Sequence, residues 1–210
     1  MSRPITAEEL VRARRVLMRR DPVLGAIIKK YGACGLRTAR EPDIYCGLIQ
    51  AIVSQQLSTK AAATIYGRFR ALIPGEMPPK PEQVLPLSDE LLRSVGLSRQ
   101  KISYLRDLTQ RALDGTFRPE HLASMDDDAV IETLTQIKGV GRWTAEMILI
   151  FRLHRPDILP VDDLGIVKAI QKAYKLRKPP DAKRMHAIGD TWRPYRSVAS
   201  WYLWASLNNT

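Results

Sequence analysis

The sequence predicts an all-α protein, and three observations carry that prediction. Nearly every segment between turn signals repeats apolar residues at spacings of three and four, the period of one helix face. Starts are marked by Ser, Thr, Asp or Pro ahead of an apolar run, and ends by Gly or Pro. No stretch alternates apolar and polar residues with the period of two that a half-buried strand requires.

The elements follow in order. Thr6-Ala-Glu-Glu9 reads as a capping box opening the first helix; Leu10, Ala13, Val16 and Leu17 form its apolar stripe, and Asp21-Pro22 ends it. A short second helix over 23–31 closes on Gly32. Pro42 begins a third, which runs through Tyr45, Leu48, Ile49 and Ile52 to Gln55-Gln56, and Ser58 or Thr59 caps a fourth that reaches Leu72. The proline-rich stretch over 73–81 predicts a loop. Helices over 88–95, 98–113 and 126–137 come next, then a Gly-Val-Gly turn and a helix over 143–153. A linker, Arg155-Pro156-Asp157-Ile158-Leu159-Pro160, leads to helices over 162–174, 181–188 and 194–207, with a break at Pro179-Pro180. The chain path suggests two helical bodies. Residues 43–155 form a central one, which includes a helix-hairpin-helix over about 127–153; residues 1–42 and 156–210 form a second one from both termini.

Composition bounds the function. At 210 residues, 45% hydrophobic and 26% charged, the chain suits one large globular domain or two small ones. Its 33 Lys and Arg against 22 Asp and Glu give a net charge of +11, the footprint of a polyanionic partner. Cys34 and Cys46 are too few for a four-cysteine iron–sulfur cluster and lack His partners at zinc-finger spacing, so they read as reduced thiols and no cluster is expected. His121, His154 and His186 show no ligand spacing. The N-terminus lacks an apolar signal core and no apolar run is long enough to span a bilayer, so the expected location is cytoplasmic, with the polyanionic partner and away from membranes.

Two motifs carry chemistry. In Leu134-Thr-Gln-Ile-Lys138-Gly139-Val140-Gly141-Arg142-Trp143-Thr144, two glycines flank one apolar residue between two amphipathic runs. They permit a hairpin tight enough to need positive φ. The second helix then opens with amides that have no intrahelical partner and with the positive end of its dipole, a combination that suits a phosphate oxygen and holds a duplex without reading its sequence. Val140 should tuck between the helices, with Leu134 and Ile137 before it and Ala145 and Ile148 after it. The second motif is Asp162-Asp163 at a helix start, where a carboxylate is the usual N-cap. Two adjacent residues cannot both cap, so the other faces solvent or works in a cleft.

Together with Ala51-Ile-Val-Ser-Gln-Gln-Leu-Ser58 and Trp192-Arg-Pro-Tyr-Arg-Ser-Val-Ala199, the segments Gly139-Val-Gly-Arg-Trp-Thr-Ala-Glu146 and Pro160-Val-Asp-Asp-Leu-Gly-Ile166 resemble the helix-hairpin-helix (HhH-GPD) DNA glycosylase superfamily. They are most similar to its 3-methyladenine DNA glycosylase II branch. The similarity runs from about Ile44 to Trp204 in the family's order. It implies a two-lobed all-α fold with an active-site cleft between lobes, base flipping in double-stranded DNA, and excision of alkylated purines such as 3-methyladenine and 7-methylguanine in base excision repair, by a monomer.

The resemblance also implies roles. Asp163 matches the family's catalytic aspartate because a basic residue, Lys168, follows at similar distance; Asp162 matches its neighbour, and a one-residue slip favoured by the Val-Asp form in sister branches would exchange them. Trp143 stands where strand-cutting relatives carry a lysine nucleophile, which implies a monofunctional enzyme leaving an abasic site. Trp143 and Trp204 match aromatics of the base pocket; Tyr45 is expected to line the same cleft, while Met147 replaces an aromatic. Gln55 and Gln56 sit where the family sends a wedge into the duplex. Lys60, Lys138 and Arg142, with Gly139, Gly141 and Thr144, are expected at the DNA backbone. The family suggests a sodium or potassium ion on the carbonyls of Thr135, Ile137 and Val140, with no cofactor required. The alternatives are a glycosylase for oxidised, deaminated or mismatched bases on this fold, and a non-catalytic DNA-binding module.

Overall fold

The computed structural model describes residues 3–36, 43–75 and 78–207. Among them the regular structure is helical, with no strand. Helix α1 (Ala7–Arg20) opens with the predicted box: the Glu9 N–H donates to the Thr6 hydroxyl at 3.1 Å and the Thr6 N–H donates to the Glu9 carboxylate at 3.0 Å. Asp21 then serves two helices. Its N–H closes α1 on the Leu17 carbonyl, and its carboxylate accepts the Leu24 N–H at the start of α2 (Pro22–Tyr31). Asp43 caps α3 (Ile44–Ser54) and Ser58 caps α4 (Thr59–Ala71); the expected start at Pro42 lies outside the described residues.

Two short pieces escape the periodicity argument. Helix α5 (Pro81–Val84) begins at the last residue of the expected loop, and a 3-10 turn covers Pro119–Ser124. Neither is long enough to display a repeat, although each opens with the proline that favours a first helical position. Then come α6 (Asp89–Ser94), α7 (Arg99–Leu113), α8 (Asp127–Thr135), α9 (Arg142–Phe151), α10 (Leu164–Ala173), α11 (Ala182–Gly189) and α12 (Arg196–Leu207), with a 3-10 turn over Asp190–Trp192. No helix among the described residues is long and apolar enough to cross a membrane.

The chain divides into two compact units, Met1–Glu41 with Leu149–Thr210, and Pro42–Ile148. The division falls inside α9, earlier than the linker at residue 155 to which the sequence points. The reason is local bonding: the Arg155 N–H returns to the Leu149 carbonyl at 2.8 Å, and the Ile5 N–H donates to the His154 carbonyl at 2.8 Å. Both bonds tie the end of α9 to the terminal unit.

In the terminal unit, α12 packs on α1, α2 and α10 through Val198, Ala199, Tyr202 and Leu203, all fully buried. The Asp21 carboxylate lies in this interior. Unpaired, it would cost several kcal/mol; here it accepts from the Leu24 N–H, the Trp192 indole N–H at 2.8 Å and the Tyr174 hydroxyl. In the central unit, α3, α5 and α6 pack on α7, and α4 packs on α3. Ile52, Phe69, Leu105 and Leu108 are buried in its core, each stabilising the unit by roughly 1.5–3 kcal/mol. Helix α7 is therefore the strut of this unit.

Candidate functional site

The hairpin joining α8 to α9 lies in the central unit. It tightens through bonds from the Ile137 N–H to the Leu134 carbonyl at 3.1 Å and from the Val140 N–H to the Ile137 carbonyl at 3.0 Å. Val140 is buried, as are Leu134, Ile137, Ala145 and Ile148, the packing its sequence predicts. Gly139 is required twice over. Its φ is +78°, and a Cβ there would sit 2.1 Å from Cδ2 of Tyr104, a residue of α7. Gly141 is different: a Cβ there meets nothing within 4 Å, and the residue is exposed. Helix α9 starts immediately after it, which places Gly141 at the positive end of the helix dipole.

Asp107 of α7 supports the hairpin from one side, accepting the Lys138 N–H at 2.9 Å and the Arg111 guanidinium at 2.9 Å. The Lys138 ammonium lies 4.0 Å from the same carboxylate and remains largely exposed. Arg142 bonds to Glu146 one turn on, at 3.1 Å, and keeps half of its side chain in solvent. Thr144 departs from expectation: it is 5% exposed, buried rather than presented at the hairpin surface.

Gln55 and Gln56, alike in the sequence, have different fates. The Gln55 amide N–H donates to the Gly139 carbonyl at 2.8 Å, which ties the end of α3 to the hairpin. Gln56 is exposed with φ +57°, a left-handed conformation that costs a non-glycine residue about 1–2 kcal/mol. Such strain persists where surrounding contacts over-determine it, and it gathers at working sites. Lys60, in the first turn of α4, is exposed.

Among the expected pocket aromatics of this unit, Trp143 is 43% exposed, in the first turn of α9, with half-buried Met147 one turn further on the same face. Tyr45 is corrected from a cleft residue to a core residue. It is 5% exposed, its hydroxyl is bonded to Thr109 at 2.9 Å, and burial pushes its pKa upward.

The acidic turn lies in the terminal unit. The Asp163 N–H bonds to the Pro160 carbonyl at 3.1 Å, closing a tight turn ahead of α10. Asp163 is the N-cap: its Oδ1 accepts the Ile166 N–H at 2.8 Å and the Trp204 indole N–H at 2.9 Å. Asp162 is exposed. Gly165 makes the pairing possible, since a Cβ there would lie 2.9 Å from Asp163 Oδ1 and 3.1 Å from Trp204 Cδ1. Upstream, Asp157 holds the linker onto α12. It takes the Arg196 guanidinium at 2.8 and 3.1 Å and the Arg196 N–H at 3.2 Å, while the Ile158 N–H donates to the Ser197 hydroxyl at 2.9 Å. Bidentate pairs of this kind fix orientation as well as distance. Lys168 is exposed on α10.

Three residues escaped the sequence. Phe151 packs on Trp204 with ring centroids 5.6 Å apart and planes inclined at 33°, and is itself 44% exposed. Leu164, 73% exposed, follows Asp163 directly. Lys101 on α7 donates to the Val53 carbonyl at 2.7 Å and the Gln55 carbonyl at 2.8 Å. An exposed aromatic at a helix end carries no signal in a lone sequence, and Lys101 looks like any surface lysine.

The chain is similar to proteins named as DNA glycosylases. DNA-3-methyladenine glycosylase 1 of Schizosaccharomyces pombe is 37% identical over 169 residues, covering 80% of this chain and 74% of its own length. Alkylbase DNA glycosidase-like protein mag2 of the same organism is 32% identical over 195 residues, covering 92% of each. The solved structure of the S. pombe 3-methyladenine DNA glycosylase Mag1 in complex with abasic DNA superposes with a TM-score of 0.83 at 34% identity, covering 94% of this chain and 97% of that one. The family model for HhH-GPD superfamily base excision DNA repair proteins matches residues 49–194, and the chain belongs to that superfamily.

Proposed function

We propose that the protein is a monofunctional DNA glycosylase of base excision repair that flips an alkylated purine out of double-stranded DNA and hydrolyses its glycosidic bond. The observation that carries this reading is Asp163, an N-cap carboxylate whose Oδ1 is held by both a backbone amide and the Trp204 indole. The helix dipole favours its charge, and the two bonds fix its place. The relatives named for 3-methyladenine and alkylated bases supply the substrate class.

The chemistry needs little else. A 3-methylated adenine or 7-methylated guanine in DNA is cationic, so breaking the bond from C1′ to the base sends the electron pair onto the ring and releases a neutral purine. An oxocarbenium-like centre is left at C1′. The fixed Asp163 carboxylate stabilises that charge and takes the proton of the water that attacks C1′, leaving an abasic site. Trp143 offers an electron-rich face to a cationic purine, and the tilted Phe151 and Trp204 rings offer another; such cation–π attraction is worth about 2 kcal/mol where water is excluded. Trp143 stands where a strand-cutting enzyme carries its lysine nucleophile, so the cycle ends at the abasic site without a Schiff base.

At the hairpin, the Gly141 backbone and the exposed Lys138 and Arg142 side chains suit phosphates; Lys60 suits another. A monovalent cation on the Thr135, Ile137 and Val140 carbonyls would add a positive charge for a phosphate oxygen. Carbonyl oxygens are the right donors for a hard cation, and the Ile137 carbonyl, which accepts the Val140 N–H, retains a second lone pair. The place of action is wherever the DNA is, nucleoid or nucleus.

The test is analysis of released bases. Methylated duplex should yield free 3-methyladenine and 7-methylguanine and an intact strand bearing abasic sites. Release from uracil or 8-oxoguanine duplex alone would move the substrate to deaminated or oxidised bases, and binding without any release would leave a DNA-binding module.

A further inference from the structure

One face of α7 carries Lys101, Tyr104 and Asp107 at spacings of three, and each meets one of the two loops of the proposed DNA interface. Asp107 takes the Lys138 N–H and Tyr104 lies against Gly139, so both set the hairpin. Lys101 reaches the other loop. Its ammonium donates to the Val53 and Gln55 carbonyls at 2.7 and 2.8 Å, at the end of α3, where carbonyls lack intrahelical partners and carry the negative end of the dipole. Burial lowers the Lys101 pKa, as expected of a cation drawn out of water to make these bonds.

We infer that Lys101 is a positioning residue for base flipping: it pins the Gln55 carbonyl, and hence the peptide plane leading into Gln56, while the Gln55 side chain locks the same loop to the Gly139 carbonyl. Gln56 alone is then the wedge and Gln55 is its strut. The inference rests on the reading of Gln56 as the group that fills the place of the flipped nucleotide. Its geometric support is the left-handed Gln56 backbone, bracketed by anchors on both sides: Lys101 on the Gln55 carbonyl before it, and the bond from the Leu57 N–H to the Ser54 carbonyl at 3.2 Å after it. Helix α7 thereby sets the distance between the element that opens the stack and the element that holds the backbone.

The experiment compares single-turnover excision of one methylated purine in two contexts, paired normally and placed opposite an abasic site, where no partner base has to be parted. Lys101→Met should slow excision from the paired duplex about ten- to a hundredfold, the factor for a charge-assisted hydrogen bond, with a much smaller loss opposite the abasic site. Lys101→Arg, which can still donate to both carbonyls, should recover most of the rate. Gln55→Ala should reproduce the pattern without touching the buried end of Lys101. Lys101→Met combined with Gln56→Ala should be no slower than Gln56→Ala alone, because both changes act through one loop. Equal losses in the two contexts, or losses that multiply, would overturn the inference. Should the wild-type protein release no base, the proposed function fails and flipping is read instead from 2-aminopurine fluorescence in bound duplex. A rise with wild type that Lys101→Met abolishes supports the positioning role, and an unchanged rise overturns it.

Discussion

The hairpin and the acidic turn are both built from a helix start preceded by a tight turn, yet they present opposite things. The hairpin presents main chain. Gly139 and Gly141 clear side chains from its tip, and the groups that hold it, Tyr104 and Asp107, sit behind it on another helix. The acidic turn presents one side chain, Asp163, and every support converges on where that carboxylate lies: Trp204 and the Ile166 amide hold its oxygen, and Gly165 leaves room for the indole. A grip that must accept any DNA sequence is best made of backbone amides, which meet phosphates common to all sequences. A catalytic charge must instead be at one place.

That contrast can be broken from either side. Asp163→Asn should lower excision about a thousandfold, the scale of one electrostatic group removed from a transition state, while duplex affinity stays within about twofold; Asp162→Asn should excise near the wild-type rate. If Asp162→Asn is the inactive variant, the exposed carboxylate is the working one.

The two hairpin glycines should separate stability from binding. Gly139→Ala forces a left-handed alanine into the Tyr104 ring, and thermal unfolding should show a loss of about 2–4 kcal/mol. Gly141→Ala meets no protein atom, so its melting should be unchanged while the dissociation constant for duplex rises about tenfold, as a methyl group holds a phosphate away from the amides. Similar melting losses for both would mean that Gly141 serves the fold.

The smallest effect tests the support of the carboxylate. Trp204→Phe keeps an aromatic ring beside Phe151 and removes the N–H to Asp163, so the excision step should slow about tenfold with little change in DNA affinity. A loss confined to affinity would make Trp204 a stacking surface alone.

Much of this was legible in the chain. The capping box at Thr6 and Glu9, the caps at Ser58, Ser98 and Asp126, and the apolar set around Val140 are local patterns whose physics repeats in any helix. The acidic pair was legible as a cap and a companion, but not which residue was which. Tyr45 and Thr144 are buried against expectation, because a residue type at a motif position says nothing about the face it turns.

By itself the sequence determined the longer helices, several of their caps, the basic charge and the two motifs, because apolar period, capping and net charge are properties of neighbouring residues and of their sum. Only the tertiary structure decided that Asp163 is held while Asp162 is exposed, that Gln55 is a strut while Gln56 is strained into solvent, and that Lys101 ties α7 to the end of α3. Each of these is a polar atom finding a partner from tens of residues away, and hydrogen-bond geometry of that kind exists only after the apolar faces have packed.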